Sequence, residues 1–252
     1  MRRIDPRMHK RISRDGRDDE VAVEEPLEIR VAGRAVAVTM RTPGNDEELA
    51  LGFLHGEGLI DGPRRAIPPA DLAANAIDVA GPLLRDPGER SFYTSSSCGV
   101  CGKGAIGAVA IGAPPVAPGP SVARELLAAL PEHLRQPAFE LTGGLHATGL
   151  FDPTGRTLIV REDVGRHNAM DKVIGRALLD GRVPLAGLIL CVSGRIAFEL
   201  VQKAALAGCP VLIGVGAPTS LAVELAVDRG MTLGGFARHG SLNVYCGAER
   251  IA

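Results

Sequence analysis

From about residue 157 onward, strand-like and helix-like segments follow one another in strict turn, and that alternation constrains the fold more than any other feature. Gly187-Leu-Ile-Leu-Cys-Val192 and Pro210-Val-Leu-Ile-Gly-Val215 are near-continuous apolar runs of strand length. Such runs read as strands covered on both faces, hence as part of a sheet that is at least partly parallel. Helices are expected over 166–179, 195–207 and 219–229, with later strands at Met231-Thr-Leu-Gly234 and Leu242-Asn-Val-Tyr245. A hairpin is expected before them, His146 to Asp152 and Arg156 to Val160, joined through Pro153-Thr-Gly155. The fold class is therefore α/β.

The N-terminal part reads differently. Leu27–Val31 and Ala35–Met40 flank Ala32-Gly33-Arg34, a hairpin with Gly33 in the turn. Pro43-Gly-Asn-Asp46 then opens a short helix through Glu48, Leu51 and Leu54, followed by strand Ile77-Asp-Val79. This predicts a small α+β domain over 21–92, linked through the Pro/Gly/Arg-rich stretch 81–90 to a second domain over 93–252. Residues 1–20 mix charges densely with little apolar content, which predicts a mobile tail. Ala105 to Ile111 reads as a small-residue helix, 113–120 as a stiff proline-rich connector, and Ser121 as the cap of a helix over 122–130.

Composition excludes several classes. With 252 residues, 46% of them hydrophobic, the chain can bury a full core. A formal net charge of -1 provides no general attraction to nucleic acid or membranes, so any anionic ligand needs a local cluster. No apolar run reaches the roughly 18 residues that span a bilayer. Arg2-Arg3 is followed by no apolar stretch, which argues against an export leader. Five cysteines without framework spacing fit a reducing compartment, the cytoplasm.

Two of those cysteines, Cys98 and Cys101, stand in Ser97-Cys-Gly-Val-Cys-Gly102. A C-x-x-C pair serves as half a zinc site, a dithiol couple or a low-pKa thiolate that carries a group. No second C-x-x-C exists to close a zinc site, so no structural metal is expected. Nor does the pair open a helix early in a short βαβ unit, as a thioredoxin-like couple would. What remains is a thiolate on a glycine-rich polar loop beside Lys103, with plain burial as small hydrophobes the alternative.

Three turns at expected strand ends gather anion-binding chemistry, and ligands of such sheets sit beyond the carboxyl ends of the strands. They are Arg161-Glu-Asp163-Val-Gly-Arg166-His167-Asn168, Ser193-Gly194-Arg195 and Gly216-Ala-Pro-Thr-Ser220, each leading into a helix N-terminus. Ser193 and Thr219 are equally explained as ordinary caps. Phe236-Ala237-Arg238-His239-Gly240-Ser241 adds an arginine, a histidine and a hydroxyl, or is a hairpin loop and nothing more. Neither a Walker loop nor a G-x-G-x-x-G fingerprint is present.

Taken together, Ser97–Gly102, Arg161–Lys172, Ser193-Gly-Arg195 with Gln202-Lys203, and Phe236-x-Arg238 closely resemble the FdhD family of sulfur carrier proteins, formate dehydrogenase accessory proteins. The resemblance covers the chain beyond residue 20. It implies a cytoplasmic homodimer with a cytidine-deaminase-like three-layer α/β/α domain, a mixed sheet and a smaller N-terminal α+β domain. It implies that Cys98 takes sulfur from a cysteine desulfurase as a persulfide, with Cys101 as helper thiol. The sulfur then goes to the molybdenum (or tungsten) of a bis(molybdopterin guanine dinucleotide) cofactor destined for formate dehydrogenase. The family's cofactor-binding stretch falls on Phe236–Ser241, and GDP serves as an analogue of half the cofactor. Two rival readings are a cofactor chaperone without sulfur transfer and a zinc deaminase pairing His55-x-Glu57 with Cys98 and Cys101. Against the second, Ser97 stands where the deaminase pattern has proline.

Overall fold

The computed structural model describes residues 4–69, 75–86 and 112–252. Cys98, Cys101, Lys103 and the helix expected over 105–111 lie outside them. In chain order the strands are β1 (His9–Arg14), β2 (Arg17–Ala22), β3 (Glu25–Val31), β4 (Arg34–Arg41), β5 (Ala66–Ile67), β6 (Ala76–Val79), β7 (His146–Phe151), β8 (Thr157–Asp163), β9 (Ile189–Val192), β10 (Val211–Gly214), β11 (Thr232–Arg238) and β12 (Ser241–Cys246). The helices are α1 (Asp46–Gly56), α2 (Arg124–Ala129), α3 (Pro137–Thr142), α4 (Arg166–Leu179), α5 (Phe198–Leu206) and α6 (Ser220–Asp228).

The main sheet is mixed and six-stranded, in the order β12-β11-β10-β9-β7-β8. Neighbouring residues on its strands point to opposite faces, as the period of two requires. Leu150, Leu190, Leu212 and Leu233 enter the larger core, together with Val173 and Ile174 of α4 and Leu200 and Val201 of α5. Phe151, Ile189, Cys191, Val211 and Ile213 meet Leu127, Leu130 and Leu134 on the other face. Helices on both faces make the three-layer α/β/α arrangement that the resemblance implies.

The N-terminal sheet runs β4-β3-β6-β5, and its apolar face joins the same larger core through Leu27, Ile29 and Val31. The junction is α1 lying across α4. A Cβ on Gly52 would sit 1.8 Å from the Asp171 carbonyl oxygen, and one on Gly175 the same distance from that of Glu48. Only glycine at both positions lets the two backbones touch. Leu49, Leu51 and Leu54 thereby pack into one core with Val173 and Leu200, so the small unit and the main sheet share their interior.

Two local expectations fail. Within the expected mobile tail 1–20, residues from His9 onward instead pair as an antiparallel hairpin, β1 with β2, that runs on to Ala22. Asp15-Gly16 makes the turn with φ of 52° and 75°, the signature of a two-residue hairpin turn. Basic β1 also faces acidic β2, with His9 and Arg11 both on Glu20 at 2.8 and 3.1 Å. Charge density thus codes complementary cross-strand pairs rather than disorder. Nor does Ser121 cap a helix: Val122 is bridged to Ile251, and α2 starts after Ala123.

Candidate functional site at the carboxyl edge of the sheet

β7 is antiparallel to both β8 and β9, and β9, β10 and β11 are mutually parallel. The carboxyl ends of β8, β9, β10 and β11 therefore open on one edge. The start of β7 lies there too, His146 facing Asp163 across the ladder. Backbone pairing continues into the turns: Gly216 N–H donates to Gly194 O at 3.0 Å and Phe236 N–H to Gly216 O at 3.2 Å. Ser193-Gly194-Arg195, the Gly216 turn and Phe236 are thus held as one row.

Glycine makes the row tight. A Cβ on Gly194 would lie 3.4 Å from His146 Nδ1 and 4.0 Å from Arg166 Cδ, and one on Gly216 would lie 2.8 Å from the Arg195 backbone nitrogen. Ser193 Oγ accepts the Ala147 N–H at 2.9 Å, so its hydroxyl organises the turn. Arg195 and Arg238 are exposed and, among the described residues, appear in no ion pair. Arg166 has its Nε buried without a hydrogen-bond partner.

The 236–241 stretch is the end of β11, a turn and the start of β12. His239 and Gly240 form the two-residue turn, with φ of 50° and 74°, between paired Arg238 and Ser241. Ala237 is fully buried and faces the core rather than the edge. Phe236 is 37% exposed at a φ of 53°, in a bulge. Left-handed backbone at an aromatic residue stores strain, of the kind that concentrates at ligand-binding sites.

Three residues of the 161–168 cluster have their polar side chains committed elsewhere than to this edge. Arg161 makes a two-point pair with Glu48 of α1, at 2.5 and 2.8 Å. Fully buried Asp163 takes Lys172 at 2.7 Å, the Gly165 N–H at 2.8 Å, the Asn168 amide at 3.0 Å and the Thr42 N–H at 3.2 Å. Asn168 also donates to Met40 O and accepts from Thr39. With Asp171–Lys203 at 2.8 Å, these contacts bind the N-terminal unit and α1 to the main sheet. Much of the long polar motif is therefore structural, because buried charges must be paired.

Arg166 and His167 stay beside the edge. Burial and the Arg166 guanidinium push His146 below the ordinary imidazole value. His167 falls to about 3 through burial, then Lys203, Arg166 and His146. Its Nε2 lies 3.8 Å from Glu199 but has no hydrogen-bond partner. Both rings are neutral at pH 7. An unfolded-state histidine titrates near 6.5, so the stability His167 contributes is complete above that pH and is lost as pH falls toward about 3. At pH 5 the loss amounts to about 2 kcal/mol. Urea melts at pH 7.5 and 5.0 should show His167→Gln losing about 2 kcal/mol less than wild type between the two; equal losses would contradict this.

Among the described residues, His55, Cys191 and Cys209 are interior and Cys246 is half-buried. His55 Nε2 lies 3.3 Å from the Leu206 carbonyl oxygen, a packing position between α1 and α5. Burial raises the thiols of Cys191, Cys209 and Cys246, that of Cys209 to about 12. Among the described residues no His/Cys/Asp/Glu group could hold a metal ion, and no helix is long and apolar enough to cross a membrane.

A hollow of about 740 Å³ runs along edge strand β8, past Arg161. It lies beside the outer backbone rather than at the turns, and the Arg161 guanidinium is already committed to Glu48. The cavity that reaches the turns measures about 440 Å³ and is lined by Gln136, Phe139, His146, Ser193 and Val215, among others. Sequence reading missed Gln136, Phe139 and His146. The only signal was a histidine opening a strand directly after Gly143-Gly144.

The family model that matches residues 22–252 is that of the FdhD/NarQ family. A protein of Streptomyces coelicolor named sulfur carrier protein FdhD is 50% identical over 261 residues, covering 95% of this chain and 93% of its own. One of the same name from Saccharolobus solfataricus is 45% identical, covering 92% and 91%. A solved structure from Desulfotalea psychrophila, assigned as a formate dehydrogenase accessory protein, is 26% identical with a TM-score of 0.73 and 97% coverage of both chains. Agreement in sequence over nearly the whole length and in fold over 97% of it has one meaning: the chain belongs to the FdhD/NarQ family.

Proposed function

We propose that this chain is a cytoplasmic sulfur carrier that matures formate dehydrogenase. Cys98 receives sulfur from a cysteine desulfurase: its thiolate attacks the outer sulfur of the desulfurase persulfide, a new S–S bond forms and the desulfurase thiolate leaves. The carried sulfur goes to the metal, molybdenum or tungsten, of a bis(molybdopterin guanine dinucleotide) substrate held at the carboxyl edge. Arg166, Arg195 and Arg238 offer charge to its diphosphates. Cys101 assists at Cys98, and the working unit is a homodimer.

The observation that carries this reading is the fate of the cysteines. Among the described residues Cys191 and Cys209 are buried and Cys246 is half-buried, all three with raised thiols, which makes them poor nucleophiles. The thiol chemistry implied by relatives named sulfur carriers falls to the glycine-flanked pair Cys98 and Cys101. Incubation with a desulfurase and cysteine should add about 32 Da, one sulfur atom, to the peptide containing Cys98, removable by a thiol reductant. Sulfur on any other cysteine, or on none, would refute the assignment.

A further inference from the structure

We propose that β1 takes up an extended acidic segment of a partner protein as a third strand of the β1–β2 ribbon. The ribbon is a sheet of its own. β2 rests against α3, with Ala22 beside Gly144, but β1 is exposed from Lys10 to Arg14. Two strands alone are marginal in water, and a third is what such a ribbon lacks. The register shows which backbone groups are free. Arg14 and Arg17 flank a two-residue turn, so they exchange backbone hydrogen bonds, and every second pair does the same. Met8 keeps the phase, accepting the Val23 N–H at 2.9 Å. Arg11 and Ser13 therefore turn their N–H and C=O groups away from β2, and no described residue takes them. Edge strand β8 of the main sheet differs: the Arg161 and Lys172 side chains already donate to its Val160 and Glu162 carbonyl oxygens, at 2.9 and 3.3 Å.

Charge selects the occupant. β1 reads His-Lys-Arg-Ile-Ser-Arg and holds no carboxylate. β2 shows the kind of strand that suits it, since Glu20 meets His9 and Arg11, and Asp19 meets Arg14 at 3.1 Å. Lys10 and Arg17 are exposed and, among the described residues, appear in no ion pair. They lie on one face with Ile12, 39% exposed, and Arg14. A strand laid along the open edge would set acidic side chains opposite Lys10, Arg11 and Arg14 and an apolar one opposite Ile12, each a favourable cross-strand pair. A second copy of this chain does not fit: antiparallel pairing of two β1 strands puts basic residues against basic residues, and like charges directly opposite are destabilising. The mode is strand addition, in which the backbone ladder supplies affinity and alternate side chains supply specificity.

The test is fluorescence anisotropy of the full chain with the labelled peptide Thr-Glu-Thr-Val-Glu-Glu-Thr, its counterpart with Lys for Glu, and a form N-methylated at alternate amides. The acidic peptide should bind and the basic one should not. N-methylation should weaken binding at least about tenfold, because it removes ladder donors. Lys10→Glu, at an exposed residue, should weaken the acidic peptide about fivefold. Ser13→Pro, which deletes one outward N–H, should weaken it about tenfold. Bound peptide should slow amide exchange at Arg11 and Ser13. Should Ser13→Pro melt below wild type, Lys10→Glu and the N-methylated peptide decide. Binding that survives N-methylation, or protection elsewhere on the chain, overturns the added strand, and so does an absence of binding at about 1 mM peptide. A single-stranded oligonucleotide that binds as tightly as the peptide, and more weakly to Lys10→Glu, would make the ribbon a general polyanion surface and overturn the proposal too.

Discussion

Cys98→Ala is expected to cut sulfur delivery to formate dehydrogenase at least about a hundredfold, because none of the thiols of the described residues can take over the nucleophile's part. Burial raises the thiols of Cys191, Cys209 and Cys246. The thiolate is the attacking species, so these groups are almost wholly unreactive at neutral pH. Replacing each of them by alanine should leave sulfur loading unchanged. Cys101→Ala should retain part of it if that thiol assists and does not carry. The measurement is transfer of labelled sulfur from cysteine through a desulfurase, followed by formate dehydrogenase activity in cells whose own copy is deleted. GDP affinity of Cys98→Ala should equal that of wild type. Wild-type maturation by Cys98→Ala would leave a cofactor chaperone as the surviving reading.

Lys172→Met should destabilise the fold by about 3 to 5 kcal/mol, the usual cost of leaving one member of a buried ion pair uncompensated. Lys172 is 1% exposed and Asp163 wholly buried, with 2.7 Å between the ammonium and the carboxylate. The ammonium also donates to Thr42 O at 2.9 Å and Glu162 O at 3.3 Å. A thioether of similar length fills the space but supplies none of these donors. Three N–H donors would still reach Asp163, from Thr42, Gly165 and Asn168, yet no cation would. Denaturant unfolding followed by circular dichroism measures the difference. A loss below about 1 kcal/mol would mean that water or a neighbouring cation reaches the carboxylate, and that the pair does not hold the N-terminal unit to the sheet.

The amino-acid sequence alone determined the strands and helices from residue 146 onward. Apolar runs such as 187–192 and 210–215 can be satisfied only by burial on both faces, and the glycines and prolines between them mark the turns. It determined the Gly33 hairpin and the family, whose motifs are long enough to be specific. It also singled out Cys98 and Cys101, since spacing and glycine-rich flanks are local properties. The β1–β2 hairpin was legible in Asp15-Gly16 and in the opposed charges around it, but composition outweighed that signal. Tertiary structure decided what sequence could not, namely the direction of each polar side chain. Arg161, Asp163 and Asn168 read like ligand contacts in a row of polar residues, and only the crossing of α1 on α4 shows them paired inside. That crossing depends on Gly52 and Gly175, which lie 123 residues apart and meet opposite carbonyls. Likewise His146, Gln136 and Phe139 share a cavity with Ser193 because β7 is laid beside β9. A turn can be read from neighbouring residues, but a site is built by strand order, and strand order is a property of the whole folded chain.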